Sequence, residues 1–589
     1  MNIRQLRPSS PHPISVADLI TKVRKRAGLE ATVARGSDQT PVTSVSLDSH
    51  DVVAGEAFVA LPGARRHGAQ FTPSAFESGA VAVITDEDGL AQLIADPRFF
   101  TDHPLAVVVL TEDVRRYAGY AAAAVWDYPH EQLRTVGITG TNGKTTTSHF
   151  LAHALEELAG TTLLIGTAGI TLGQVHVESE RTSVEAPVLH RLLAWAVENG
   201  ARSVVMEVSS HALVLHRVAG MHFDAVAFLN LQRDHLDFHS TMEEYFAAKA
   251  SLFAANRAQR AVVCIDDQWG EKLLQQIRGS GQLPTMAVAT RPALGDGENP
   301  QADLSVADIK IDAASGGTDF TVHYQARSVA LHCPLPGVIN VQNQVIALGI
   351  LIGLGFSASD CAQLLGKCPP VPGRMEVVTK RSDADPLVIV DFAHTSDALT
   401  LACAALDPVT PGRLWCLFGA TGERDGGKRP LMGQAAAQAA DVVIITDDDV
   451  YGEDPAQIRA QVAAGIEQVG GDQPAPEWRV EVLWEDDDRA HAIELAVVGA
   501  GAQDTVLIAG RGHETIQTVG ERAIELDDRD CARQALQLRH LQGEQPQLLE
   551  RAKAHLHAGR VRLQSAPKTW EDRVSPKSLD QTESMRKHP

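Results

Sequence analysis

Short apolar runs recur along the chain and alternate with segments of helical periodicity. Each run holds nearly continuous Val, Ile, Leu and Ala, the pattern of parallel strands that are buried on both faces. The segments between them are rich in Ala and Leu, and Leu151, Leu155 and Leu158 fall on one stripe of a helix. The alternation predicts an α/β fold with more than one sheet. The runs read AVAVITD, LAVVVL, RTVGIT, ARSVVMEV, AVAFLN, RAVVCID, LVIVDFA, LWCLFGA, DVVIITD and TVLIAG.

Length and charge exclude several classes of protein. The 589 residues are enough for three or four domains of about 150 residues each. No run reaches the roughly 18 apolar residues of a membrane span, and the longest, residues 345–358, is broken by glycines. The 52 basic and 74 acidic residues give a net charge of −22, which disfavours nucleic acid and acidic membrane surfaces as partners.

The cysteines and the N-terminus indicate a compartment. The seven cysteines lie far apart and none belongs to a C-x-x-C pair, which argues against a disulfide scaffold or a zinc ribbon. The opening MNIRQLRPSSPHPIS has basic residues but no apolar segment after them, so it does not resemble a secretory signal. We therefore expect a reducing cytoplasm.

Composition shifts predict the domain boundaries. Residues 1–20 and 548–589 are polar and without periodicity, so both are expected to be tails. A first domain is predicted over 21–131, a second over 132–374 and a third over 375–547. The last boundary follows KCPPVPGR, a hinge-like stretch of prolines and glycine.

The segment RTVGITGTNGKTTTSHF, residues 134–150, has the pattern of a phosphate-binding loop. Glycines let the backbone N–H groups surround a phosphate, Lys144 can reach the terminal phosphates and Thr145 can bind Mg²⁺. The strict spacing requires Gly where this chain has Ile138, so an ordinary Gly-rich turn is the alternative. The predicted ATP-binding residues here are Gly140, Thr141, Asn142, Gly143, Lys144, Thr145 and Thr146.

Two later segments offer partners for a metal. Glu207 follows the run VVM, where a carboxylate could bind Mg²⁺, although such an acid is commonly solvated or paired. Residues 234–249 contain Asp234, His235, Asp237, His239 and Lys249. The two histidines could suggest zinc, but the segment lacks H-E-x-x-H and any nearby cysteine. Lys249 on its own would be taken for a surface lysine.

Taken together, these segments resemble the Mur ligase family of ATP-dependent amide-forming enzymes, and most of all the member that adds the third peptide residue. The resemblance covers roughly residues 40–535. It rests on GITGTNGKTTT, MEVSSHALVLHRV, NLQRDHLDFH, YFAAKASLF, PVPGRME, DFAHTSDAL, FGATGERDGGKRPLMG, GEDP and GRGHE, in family order. The upstream VSLDSHDVVAGEAFVALPG resembles the UDP-sugar-binding first domain of that member.

The resemblance implies three domains: a UDP-binding N-terminal domain, a central P-loop ATPase domain with a parallel sheet, and a Rossmann-like C-terminal domain. It implies a catalytic set of Lys144, Glu207, His235 and Lys249. The implied Mg²⁺ sites are Thr145, Glu207, His235 and a carbamylated Lys249. The implied UDP-muramoyl-peptide contacts are Leu47, Ser49, Thr182, Ser183, Ser209 and Arg217, with Ala64, Arg65 and Arg66 in a less closely matching segment. Arg374 and Asp391 match hinge and nucleotide positions.

The activity implied by the resemblance is phosphoryl transfer followed by acyl transfer. ATP would phosphorylate the terminal carboxylate of UDP-N-acetylmuramoyl-L-alanyl-D-glutamate, and an amino acid would attack the acyl phosphate. Such an enzyme serves peptidoglycan synthesis. Its partners would be small-molecule substrates, without nucleic acid or membrane, and it is expected to be a monomer.

The third domain departs from the family pattern. Family enzymes that use meso-diaminopimelate carry Asp-Asn-Pro-Arg where this chain has Asp448, Asp449, Val450 and Tyr451. An arginine can bind a carboxylate in bidentate fashion, which neither Val nor Tyr can replace. Asp449 would suit a distal ammonium instead, as in lysine or ornithine. The other positions that match the amino-acid site are Arg424, Gly510 and Glu514, with Arg511 in place of the usual lysine.

Three alternatives remain open. A paralogue could act on another carboxylate in a specialised pathway, which the change of signature and Leu215, at a position where glutamine is frequent, both favour. A folylpolyglutamate-synthase-like ligase would share the central chemistry but not the first domain. A non-catalytic ATP-binding homologue would be expected to lose catalytic residues, and this chain keeps all of them.

Overall fold

The computed structural model describes residues 2–63, 66–96, 98–179, 181–235, 238–290, 301–469 and 482–544. The chain forms two compact units. The first comprises residues 1–305, 324–327 and 343–365, and the second comprises 306–323, 328–342 and the chain from 366 onward. The predicted C-terminal tail, 548–589, lies outside the described residues.

The N-terminal part of the first unit is a sheet with the strand order β2-β7-β6-β5-β4, parallel except for β2. Its core contains the buried side chains of Val83, Ile84, Val107 and Val109. The elements are β1 (Ile14–Ser15), α1 (Val16–Ala27), β2 (Thr32–Arg35), β3 (Pro41–Val42), β4 (Val45–Ser46), β5 (Ala57–Val59), α2 (Thr72–Glu77), β6 (Ala82–Thr85), α3 (Glu87–Ala95), α4 (Phe99–Asp102), β7 (Val107–Leu110) and α5 (Val114–Val125).

Leu6 and Val16, the first residue of α1, belong to hydrophobic cores of the first unit, so the prediction of a tail over 1–20 is wrong. The side chain of Leu6 is 1% exposed within the core of the central sheet region. Arg7 forms ion pairs with Asp51 at 2.9 Å and Glu56 at 2.6 Å. These partners are distant in sequence, and local composition therefore does not reveal them.

The central part of the first unit contains the strand order β11-β10-β9-β12-β8-β13-β14-β15, which β16 joins through its first residues. The pairs from β9 to β16 are parallel, and β10 and β11 form an antiparallel edge. The elements are β8 (Arg134–Thr139), α6 (Lys144–Ala159), β9 (Thr162–Gly166), β10 (Gly169–Leu172), β11 (Val175–Val177), α7 (Ala186–Glu198), β12 (Ser203–Glu207), α8 (Ser210–Val214), β13 (Ala225–Phe228), α9 (Met242–Ala250), β14 (Ala261–Cys264), α10 (Gln268–Ser280), β15 (Thr285–Ala289) and β16 (Leu304–Ile311).

The second unit has a sheet of order β19-β20-β24-β21-β22-β23, parallel except for the edge strand β19. This arrangement agrees with the predicted Rossmann-like domain. The elements after β16 are β17 (Thr318–Tyr324), β18 (Arg327–Cys333), α11 (Val338–Gly353), α12 (Ala358–Leu365), β19 (Glu376–Thr379), β20 (Leu387–Asp391), α13 (Ser396–Leu406), β21 (Leu414–Phe418), α14 (Lys428–Ala439), β22 (Val442–Ile445), α15 (Pro455–Val469), β23 (Val482–Glu485), α16 (Arg489–Gly499), β24 (Thr505–Ala509), β25 (Ile516–Val519), β26 (Arg522–Glu525) and α17 (Asp528–Glu544).

Every apolar run identified in the sequence forms a strand, and the predicted α/β class is confirmed. These strands lie next to parallel neighbours inside the sheets, where both faces are covered. In the part of the chain that is described, no helix is both long and apolar enough to cross a bilayer.

Two buried histidines, His130 before β8 and His190 on α7, predict a loss of stability in acid. His130 and His190 are 2% and 0% exposed, and neither ring nitrogen of His130 has a hydrogen-bond partner among the described residues. Burial lowers the pKa of His130 to about 3 and the pKa of His190 to about 4. A histidine in an unfolded chain titrates near pH 6.5, so the unfolded state gains protons first and stability falls between about pH 6.5 and 4.

We expect His130→Leu to make the melting temperature less sensitive to pH over that range, because the variant has one fewer buried imidazole to protonate. Calorimetric melts between pH 7.5 and 4.5 measure this. His176→Asn, at an exposed position, is the control and should follow the unsubstituted protein. An unchanged pH dependence in His130→Leu would contradict the assignment.

Candidate active site

The predicted phosphate loop joins β8 to α6. Gly143 has φ +88°, a conformation that favours glycine, and α6 begins at the next residue. The Nζ of Lys144 donates to the carbonyl oxygens of Gly140 and Thr141, both at 3.0 Å. The lysine is therefore folded over the loop, with its ammonium group where a phosphate-binding cation is needed.

Glu207 ends β12, which is the parallel neighbour of β8, and its side chain is 1% exposed. Its Oε1 accepts from the Thr145 hydroxyl at 3.0 Å and from the Thr167 N–H at 2.8 Å. Its Oε2 accepts from the Thr167 hydroxyl at 3.1 Å. A Cβ at Gly166 would lie 2.2 Å from Glu207 Oε1, so only glycine leaves room for this carboxylate. The carboxylate is thus fixed beside the loop hydroxyl of Thr145.

Lys249 lies on α9 and is 1% exposed. Its Nζ donates to the Gly140 carbonyl oxygen at 2.8 Å and lies 4.6 Å from the centre of the Tyr245 ring. Burial, and next the nearby Lys144 ammonium, hold the pKa of Lys249 well below its usual value. A surface lysine, the alternative from sequence alone, is excluded.

Side chains from after β13 hold the loop in place. The Asn142 N–H donates to Asn230 Oδ1 at 3.0 Å, and the Asn142 amide donates to Gln232 Oε1 at 2.6 Å. The Thr141 hydroxyl accepts from the Gln232 N–H at 3.0 Å and lies 3.2 Å from the Tyr245 hydroxyl. The loop conformation is therefore fixed by polar contacts before any ligand binds.

His235 has φ +53° and is 46% exposed, and its Nε2 lies 3.3 Å from Asp234 Oδ2. The centre of the His235 ring lies 6.2 Å from the centre of the Tyr245 ring. Tyr245 also contacts Lys249, so it lies near both predicted site residues. The His239 ring lies closer to Tyr245, at 4.9 Å between ring centres, and its Nε2 lies 2.9 Å from the Ser210 hydroxyl. Asp237 lies outside the described residues.

Four of the residues expected to contact the muramoyl peptide are joined to Glu207 by a chain of hydrogen bonds. The Thr182 hydroxyl lies 3.1 Å from the Thr167 hydroxyl. The Ser183 hydroxyl donates to the Glu207 carbonyl oxygen at 2.9 Å and accepts from the Ser209 N–H at 3.2 Å. Arg217 donates to the Ser183 carbonyl oxygen at 3.3 Å. The structure therefore brings these four predicted residues into one continuous strip.

Leu47 and Ser49, the residues matched to nucleotide-sugar binding, line a cavity of about 390 Å³ in the N-terminal part. Phe58, Phe71, Arg66 and Asp48 also line it, so the lining combines aromatic side chains with charged groups of both signs. Ala64 and Arg65 lie outside the described residues.

Arg374 and Asp391 lie close together in the second unit. Asp391 accepts from the N–H groups of Met375 at 2.7 Å and Ala393 at 2.9 Å. The Arg374 guanidinium stacks 4.4 Å from the centre of the Phe392 ring. Burial raises the pKa of Asp391, and Arg374 opposes that shift.

Carboxylate oxygens of Asp448, Asp449 and Glu514 lie within 4.8 Å of one another. Arg511, 0% exposed, donates from Nη1 to Asp449 Oδ1 at 2.8 Å and lies 3.6 Å from Asp448 Oδ1. Burial, and next Asp448, raise the pKa of Glu514 to about 7. Asp449, the acid that the sequence assigns to a distal ammonium, is therefore paired with Arg511. The cluster still has three carboxyl groups for one cation.

The remaining amino-acid-site positions border this cluster. A Cβ at Gly510 would lie 3.0 Å from Asp448 Oδ2. Tyr451 has φ +49°, and burial raises the pKa of its hydroxyl while Arg424 opposes that shift.

Several residues at the site were not predicted. Thr167, Asn230 and Gln232 contact Glu207 or the loop, and Glu185 binds Arg217 at 3.0 Å. A signal existed for the first three, since each follows a buried strand at the edge where the other site residues lie. Glu185 had none.

The comparisons with known proteins agree with this geometry. Models of the Mur ligase family match the chain over residues 41–122 (catalytic domain), 138–351 (middle domain) and 373–512 (glutamate ligase domain). The chain belongs to the Mur ligase family. It is an ATP-dependent ligase with the three-domain architecture of that family.

The similar relatives share one name, UDP-N-acetylmuramoyl-L-alanyl-D-glutamate–2,6-diaminopimelate ligase. The Parasynechococcus marenigrum protein is 40% identical over 87% of this chain and 97% of its own length. The Corynebacterium glutamicum protein is 39% identical over 87% and 95%. A solved structure of a ligase of that name, 30% identical, covers 90% of this chain and 100% of its own, with a TM-score of 0.62.

Proposed function

We propose that this ligase uses ATP to join an amino acid to UDP-N-acetylmuramoyl-L-alanyl-D-glutamate, a step of peptidoglycan synthesis. The observation that carries the proposal is the convergence of Lys144, Thr145, Glu207 and Lys249 on one phosphate loop. The names of the relatives indicate the acceptor, and the continuous strip from Glu207 to Arg217 offers it a place.

The loop residues would bind ATP and carry the first step. Backbone N–H groups and Lys144 would exchange their present contacts for phosphate oxygens. Thr145 and Glu207 offer a hydroxyl and a buried carboxylate, oxygen donors that fit Mg²⁺. Bound there, Mg²⁺ would offset charge on the transferring phosphoryl group. The acceptor carboxylate would attack the γ-phosphorus as ADP leaves, and the amine would then displace phosphate from the acyl carbon and lose a proton.

We also propose that Lys249 is carbamylated. Its lowered pKa favours the neutral amine, which adds to CO₂ to give an N-carboxylate and a proton. The product is an anion, which attracts the Lys144 ammonium, whereas a protonated amine would repel it. His235, which lies beside Asp234, would be a further ligand of Mg²⁺.

The amino acid is proposed to carry a distal ammonium without a distal carboxylate, as lysine and ornithine do. The cluster has three carboxyl groups, of Asp448, Asp449 and Glu514, for the single positive charge of Arg511. The arginine that would bind a distal carboxylate is replaced by Tyr451. An ammonium would also stabilise the ionised form of Glu514.

We expect phosphate release when the protein is mixed with ATP, Mg²⁺, the acceptor and lysine or ornithine, with a product mass equal to that of the acceptor plus the amino acid minus one water. The panel includes 2,6-diaminopimelate and the common amino acids. 2,6-Diaminopimelate carries a distal carboxylate beside its distal ammonium, so a preference for it would overturn the proposed lack of a distal carboxylate and leave the ligase assignment intact. Binding of ATP without release in any mixture would favour another acceptor, as in a paralogue, or a non-catalytic homologue.

We propose a reducing cytoplasm as the compartment. All seven cysteines are free thiols, and six of them are buried.

A further inference from the structure

Three arginines surround the single carboxylate of Glu185. Oε1 accepts from Arg181 at 2.6 Å and from Arg217 at 3.0 Å, and Oε2 accepts from Arg115 at 3.3 Å. Arg115 comes from α5 of the N-terminal part, whereas the others flank the strip that leads to Glu207. One carboxylate cannot neutralise three guanidinium groups, so the cluster has an excess of two positive charges in a chain whose net charge is −22.

The Glu185 side chain binds the three arginines and does not cap a helix. Glu185 is the N-cap residue of α7, but its side chain makes no capping hydrogen bond to the helix. The side chains of Arg115 and Arg181 remain 33% and 53% exposed, so each has N–H donors open to a ligand. Arg217, at 13%, is more deeply held. Arg115 and Arg181 therefore present two partly exposed guanidinium groups around the carboxylate that also holds Arg217.

We propose that Arg115 and Arg181 bind the non-reacting carboxylate of the acceptor's terminal glutamate, with Glu185 as the positioning residue. The inference rests on the proposed function. The acceptor ends in two carboxylates, of which one is phosphorylated beside Glu207 and the other must be held apart from it. Planar guanidinium groups recognise a carboxylate by paired N–H donors, and a neutral carboxamide accepts fewer such bonds. The arginines therefore select the charge state of the acceptor.

The test is calorimetric binding of two acceptors to the full chain without ATP: UDP-N-acetylmuramoyl-L-alanyl-D-glutamate and the analogue whose non-reacting carboxylate is a carboxamide. The unsubstituted protein should prefer the carboxylate about tenfold or more. Arg115→Ala and Arg181→Ala should each weaken the carboxylate acceptor about tenfold and leave the carboxamide nearly unchanged. ATP binding should stay the same. Arg181 is more than half exposed, so its substitution does not threaten folding.

Arg116→Ala is the matched control, since it removes the same charge from the next residue of α5, where the guanidinium faces Tyr120 at 6.0 Å. It should keep the tenfold preference. Equal weakening of both acceptors by Arg115→Ala, or no weakening, would overturn the inference while the proposed function stands. Failure of the unsubstituted protein to bind either acceptor would overturn both.

Discussion

Lys249→Ala is expected to reduce amide formation by about 100-fold or more while ATP still binds. Lys249 is buried, and its Nζ donates to the Gly140 carbonyl oxygen of the phosphate loop. A charged group in that position would stabilise the charge that develops during phosphoryl transfer. Alanine removes both the amine and any carbamate formed on it. Phosphate release and product mass measure the loss, and titration calorimetry with ATP shows whether the nucleotide site survives.

Lys272→Ala is the control for this variant. Lys272 is an exposed lysine whose Nζ lies 4.9 Å from the centre of the Trp269 ring on α10, so its removal should leave the rate unchanged. A fully active Lys249→Ala would show that the site is assigned wrongly. Intact-mass measurement in CO₂-free buffer and in bicarbonate, with a gain of one CO₂ expected only in the latter, tests the carbamate separately.

The features predictable from sequence are those set by neighbouring residues. The apolar runs indicate strands because alternation with helices leaves both faces of each strand buried. The phosphate loop is recognisable because its glycines, lysine and threonine lie within six residues, 140–145. In the structure, α6 begins at Lys144, as the pattern predicts. Glu207 was found because parallel strands end at one edge of a sheet, where functional groups meet.

The features that sequence could not predict depend on contacts between distant residues. Leu6 lies in a polar segment, and only its packing into the central core shows that the segment is folded. Asp449 was interpreted from its own position, whereas its partner Arg511 is 62 residues away. A charge assigned from sequence carries no information about the group that neutralises it, and the pairing decides whether the charge is available to a ligand.

That pairing leads to the second large effect, on stability. Arg511→Leu is expected to destabilise the second unit by roughly 3 to 5 kcal/mol, because it leaves clustered carboxylates buried without their cation. The variant also removes the donor to the Ile516 carbonyl oxygen at 2.6 Å. Calorimetric unfolding at neutral pH measures the loss. Arg522→Leu, at an exposed position of β26, should leave the transition unchanged.

A double variant separates charge from packing. Asp449→Asn keeps an oxygen that can accept from the Thr518 N–H, now at 2.7 Å, but removes the negative charge. Combined with Arg511→Leu, it should recover part of the lost stability, because one uncompensated anion has been eliminated. If the double variant is as unstable as the sum of the two single variants, the two residues are not coupled. Recovery would show that Asp449 and Arg511 act as one unit, which is what their 2.8 Å ion pair predicts.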